Sequence, residues 1–74
     1  MKEEYQDIRI SLGLQIAFYR KKKGWNQAQL AEQTHLSAKY ISVLESCSLQ
    51  KMPSFKTLCR IAHALEVSPA QLLR

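Results

Sequence analysis

The chain has 74 residues and a formal net charge of +5, from 11 Lys and Arg against 6 Asp and Glu. That length gives one domain with one small core and leaves no volume for a cofactor pocket beside it, so no cofactor is expected. No apolar run approaches the ~20 residues that span a bilayer. The N-terminus MKEEYQDIRI carries acids where a signal peptide needs an apolar region. Cys47 and Cys59 show no disulfide framework, and the expected compartment is the cytoplasm with both thiols reduced.

Two glycines and two prolines punctuate a helical sequence. Gly24 closes a first pattern, roughly Tyr5 to Lys23, in which Leu12, Ile16 and Tyr19 recur at helical spacing. Lys21, Lys22 and Lys23 fall in its last turn, where cations favour the helix dipole, and Gly24 supplies a left-handed cap. Gly13 inside the helix costs about 1 kcal/mol relative to alanine and offers room for another helix to approach. Asn26 is an N-cap for a second helix, Gln27 to about Thr34, with Leu30 and Ala31 as its inner stripe. Ser37 caps a third, continuing through Lys39 to Ser46. Pro53-Ser54 opens a fourth, to about Leu65, with Leu58, Ile61, Ala62 and Leu65 on one face. Ser68-Pro69, a cap followed by proline at the first helical position, begins a fifth, Pro69 to Leu73. The valines and isoleucines fall at helical spacing, so no strand is expected. The fold class is all-α, five short helices around one core.

The excess positive charge has a location. Between positions 20 and 56 lie Arg20, Lys21, Lys22, Lys23, Lys39, Lys51 and Lys56 against Glu32 and Glu45, whereas the remainder of the chain is balanced. A localised basic region fits a polyanionic partner or, more simply, a solvated surface. The third helix discriminates. At about 100° per residue, Ser37, Ile41 and Leu44 share one sector and are expected to point inward. Lys39, Ser42, Val43 and Ser46 lie opposite, with Ala38 at the edge. Small and basic side chains let a helix approach base edges closely. The second helix, joined by so short a turn, must cross the third steeply. That is the geometry in which one helix enters the major groove and the preceding one lies across the backbone.

These residues resemble the Cro/CI-type (XRE-type) helix-turn-helix family, with its lambda-repressor-like DNA-binding domain. The resemblance rests on Leu12-Gly13, Ile16 and Arg20, on Gly24, on NQAQLAEQ and LSAKYISVLE, on Pro53-Ser54, on LCRIAHAL and on VSPAQLL. It covers roughly residues 12–73, with 1–11 as an N-terminal extension of helix one. It implies that Gln27 contacts phosphate, that Ala38, Lys39 and Val43 read bases with Ser37 and Ser42 bordering them, that Tyr40 contacts the DNA backbone, and that the loop residue Lys51 meets phosphate. Arg20 and Glu45 match a structural ion pair tying helix one to helix three. Lys39 can reach guanine acceptors or a phosphate, while Ala38 and Val43 make only apolar contacts, so indirect readout is expected to carry much of the specificity. Two positions depart from the family. His35 and Cys47 stand where glycine is usual, and positive φ costs a non-glycine residue roughly 1–2 kcal/mol. His is tolerated there better than Cys, and Cys47→Gly is expected to stabilise the fold by a few tenths of a kcal/mol or more.

Other readings are weaker. Cys59 and His63, i and i+4 on helix four, with Cys47 upstream, fit no common zinc module, so no metal is expected and Cys59 belongs at the core edge. Trp25 beside an N-cap is expected to pack rather than stack on a base. Lys21–Lys23 contribute at long range. No catalytic constellation is visible, and the lysines cluster at one end of helix one, against a membrane-surface role. The expectation is a double-stranded DNA-binding transcriptional regulator with recognition helix Ser37–Ser46. It should be a homodimer, DNA-driven, on a palindromic site, and the resemblance implies a dimer surface near helices four and five and the C-terminus. The alternative is an antitoxin-like or accessory protein-interaction module.

Overall fold

The computed structural model describes residues 2–46 and 52–74, and among these all regular structure is helical. The helices are α1 Lys2–Lys22, α2 Gln27–Thr34, α3 Ala38–Glu45, α4 Phe55–Leu65 and α5 Pro69–Leu72. Each of the four later helices opens on a short polar side chain that accepts from a backbone N–H of its first turn: Asn26 from Gln29, Ser37 from Tyr40, Ser54 from Thr57 and Ser68 from Gln71. Gln29 and Gln71 return the contact to the cap backbone, completing capping boxes. Removing such a cap costs about 1 kcal/mol, which is large for helices of only a few turns.

Three helices end on a left-handed residue. Gly24 has φ 75°, His35 57° and Glu66 60°. In each case the following N–H reaches back six residues inclusive: Trp25 to the Arg20 carbonyl at 3.2 Å, Leu36 to Ala31 at 2.9 Å and Val67 to Ala62 at 3.0 Å. This is the Schellman closure. At Gly24 a Cβ would meet nothing within 4 Å, so the backbone angle, not space, requires glycine there. His35 adopts the positive φ expected of it. Glu66 does so too, and nothing in its side chain announces this.

The core is one cluster: Leu12 and Ile16 from α1, Leu30 and Ala31 from α2, Ile41 and Leu44 from α3, Leu58, Ile61, Ala62 and Leu65 from α4, and Leu72 from α5. Tyr19, Trp25, Leu36 and Tyr40 pack around it half-buried. Burying each large aliphatic side chain is worth roughly 1.5–3 kcal/mol, and this stabilises helices that are too short to persist alone. Gly13 is buried within α1. α2 packs on α3 and α4, while α1 packs on α3, α4 and α5.

Two expectations need correction. α1 starts at Lys2, one turn before Tyr5. Glu4 and Asp7 supply negative charge near the helix N-terminus, which favours it, and Arg9 anchors the segment as described below. Ser37 does not point inward. It is exposed, because an N-cap side chain must turn back to its own first turn rather than follow the helical wheel.

Candidate nucleic-acid interface

α3 has two sides of opposite character. Its outer side is exposed at Ser37, Ala38, Lys39, Ser42, Val43 and Ser46. Apart from Lys39 these side chains are short, so a flat polyanion can come close to the helix backbone. Tyr40 lies at the edge, half-buried, with its ring against the core. Lys51 and Cys47 lie outside the described residues.

The inner side is held by charge. Arg20 lies one face-width from Ile16 on α1 and is buried. Its Nε donates to Glu45 Oε2 at 2.6 Å and its Nη2 to Glu45 Oε1 at 2.9 Å, a bidentate pair with side-chain exposures of 9% and 6%. Arg20 Nη1 donates to the Trp25 carbonyl at 2.7 Å. Gln27, in the first turn of α2, donates from Nε2 to Glu45 Oε1 at 3.1 Å. One carboxylate therefore joins α1, the start of α2 and the end of α3. The Glu45 hydrogen bond holds the Arg20 guanidinium above its ordinary pKa, outweighing burial, which works the other way. The same link fixes where the Gln27 amide sits relative to the outer face of α3.

A second arginine escapes the apolar pattern of the sequence. Arg9, fully buried, donates from Nη1 to the Leu44 carbonyl at 3.1 Å and from Nη2 towards the Val43 carbonyl at 3.4 Å. These are carbonyls of the last turn of α3, where a helix has acceptors to satisfy and a negative dipole end. Arg60 of α4 reaches the Thr34 carbonyl at the end of α2 at 3.4 Å. Both helices of the motif thus have a guanidinium at their C-terminal end. The signal for Arg9 was present in the sequence. It falls three residues before Leu12 and seven before Ile16, on the buried stripe, but reading stripes by apolarity passes over a charge.

Residues proposed for other chemistry are placed as follows. Trp25 is half-buried against the core with the Lys23 ammonium 5.6 Å from its ring centroid. Cys59 is half-buried and His63 exposed. No described helix is long and apolar enough to cross a membrane.

Residues 13–74 match the sequence profile of the helix-turn-helix domain family. The chain belongs to that family. It is 37% identical over 62 residues to the HTH-type transcriptional regulator SinR of Bacillus subtilis (strain 168), a match covering 84% of this chain and 55% of SinR. The chain thus spans about half the length of the relative it matches. Among solved structures, the master regulator for biofilm formation SinR in complex with DNA superposes with a TM-score of 0.78 at 36% identity, covering 85% of this chain and 98% of that one. A hypothetical transcription factor, NHTF, from Neisseria gives 0.84 at 33% identity, with 95% and 78% covered. The restriction-modification controller protein C.AhdI from Aeromonas hydrophila gives 0.79 at 28% identity, with 92% and 94% covered. The family match starts at residue 13, so Arg9 lies ahead of it.

Proposed function

We propose that this protein binds double-stranded DNA as a transcriptional regulator, with α3 in the major groove. The observation that carries the reading is an exposed α3 face of small side chains around one lysine, backed by a buried bidentate ion pair that sets its orientation. The resemblance to SinR, solved with DNA, supports it. In this reading Lys39 takes guanine acceptors or phosphate, Ala38 and Val43 meet thymine methyls, and Ser37 and Ser42 border them. Gln27 and Tyr40 contact the DNA backbone, as does Lys51. Gln27 already gives one amide hydrogen to Glu45 and keeps a second for phosphate. With so few hydrogen-bonding groups on α3, sequence-dependent DNA shape supplies much of the specificity. A two-fold dimer then reads a palindrome with half-sites about 34–36 Å apart.

The test is selection from a random duplex pool at about physiological salt, followed by binding of the winner across salt concentrations. An enriched palindrome is the expected result. No enrichment, with weak binding that disappears as salt rises, would leave only a basic surface and overturn the reading. The same scarcity of hydrogen-bonding groups on α3 favours a second reading, an accessory module that engages a protein. Co-purification of a stoichiometric protein partner at high salt, without sequence-specific DNA binding, would select it.

A further inference from the structure

Among the described residues, seven large hydrophobic side chains are exposed, and five of the seven lie on α1. α4 and α5 together contribute only Phe55. The α1 residues are not scattered. Ile10, Leu14 and Phe18 recur every four residues, at 39%, 59% and 55% exposure, on the side of the helix opposite Arg9, Ile16 and Arg20. Solvated helices rarely carry such a stripe, and it marks an interaction surface.

The stripe is symmetric about its centre. Ile10 and Phe18 each lie four residues from Leu14. Asp7 and Lys21, both exposed, each lie seven residues from it. Seven residues return to nearly the same face of a helix that packs at a shallow angle on another. We infer that α1 pairs antiparallel with α1 of a second copy of this chain, with the two-fold axis passing beside Leu14. Leu14 then meets the partner's Leu14, Ile10 meets the partner's Phe18, and Asp7 meets the partner's Lys21. Each copy places its acid opposite its partner's base, twice, as an isologous interface requires. Parallel pairing would set Asp7 against Asp7 and Lys21 against Lys21. The charge pattern therefore selects both the occupant and its direction.

The interface covers one face of one helix, well short of the ~800 Å² per partner of a standard stable complex, so the dimer is weak by itself. Two half-sites on one DNA raise the effective concentration and would strengthen it. α1 meets α3 through its opposite side, where Arg9 and Arg20 lie, so the stripe faces away from the contact between α1 and α3. The inference rests on the dimer of the proposed function and places its interface on α1 instead of the α4–α5 region that the family resemblance implies. It is tested without DNA, so that its failure and the failure of the DNA reading are separate results.

The experiment is sedimentation equilibrium of the full chain from micromolar to about millimolar concentration, with melting temperatures of every variant. Wild type should show a concentration-dependent monomer–dimer equilibrium. Leu14→Glu should raise the dimer Kd at least ~10-fold without lowering the melting temperature measured at concentrations where wild type is monomeric, because the side chain is exposed in the monomer and Glu is a good helix former. Asp7→Lys and Lys21→Asp should each weaken association several-fold, and the double swap should restore it. A wild type that stays monomeric at millimolar concentration would overturn the inference and leave the stripe to a different partner. So would a dimer indifferent to Leu14→Glu but dissociated by Phe55→Glu, which would place the interface on α4.

Discussion

The two sides of α3 follow opposite rules. The inner side spends its polar groups on the protein itself, with one carboxylate accepting from two residues of other helices and a buried arginine on the last carbonyls. The outer side has serines, alanine, valine and one lysine, all exposed. The contrast separates two jobs that are easily run together. Orientation is set by buried charge on α1, while selection of a ligand is left to exposed side chains, two of which, Ser37 and Ser46, hydrogen-bond to the backbone of α3 itself.

Breaking the mounting gives the largest effects. Glu45→Ala leaves the Arg20 guanidinium buried without its carboxylate and frees the Gln27 amide, and it should cost about 3–5 kcal/mol in urea unfolding. A double variant that replaces both Arg20 and Glu45 by apolar residues of similar size should cost clearly less than Glu45→Ala, because no charge is then stranded. Equal losses would show that packing, not charge compensation, sets the value. Next comes Arg9→Met, which keeps most of the side-chain volume and removes the donors to Leu44 and Val43. Hydrogen bonds from a charged group are worth about 1.5–3 kcal/mol, and the loss should appear as faster amide exchange confined to the end of α3. If exchange there is unchanged while global stability falls, Arg9 anchors α1 and does not cap α3.

Changing the outer side should leave stability alone. Lys39→Ala should keep the melting temperature and weaken binding to the selected site by about 1–3 kcal/mol if it reads a base. A loss of equal size on selected and random duplexes, with a shallower salt dependence, would instead assign Lys39 to phosphate.

The same contrast explains what could be read in advance. Caps are local, so Asn26, Ser37, Ser54 and Ser68 are legible as helix starts, and Gly24 as a stop, from neighbouring residues alone. The outer face of α3 was visible because exposure follows helical period. What the sequence hid was long-range or indifferent to residue type. Arg9 joins α3 across 35 positions of chain, and its charge disguised a buried position. Ser37 obeyed its capping role against its place on the wheel. Glu66 takes a left-handed backbone that its side chain does not ask for.

Glu66 also gives the smallest and most resolvable prediction. Its backbone closes α4 at φ 60° while its carboxylate accepts from the Lys23 ammonium, tying the end of α1 to the end of α4. That contact, first through the hydrogen bond and then through charge, lowers the Glu66 pKa. A carboxylate with a depressed folded-state pKa contributes stability above its unfolded value and loses it as pH falls through the folded one. The contribution is small, because the pair is exposed and screened. Glycine at this position removes the pair but also removes the clash of a side chain with a left-handed backbone, and the clash is not screened. Glu66→Gly should therefore raise the melting temperature slightly at neutral pH. Its advantage over wild type should widen in acid, where the wild-type pair is lost and the backbone relief remains. A variant less stable than wild type at neutral pH, with the gap closing in acid, would mean that the Lys23 link outweighs the strained cap.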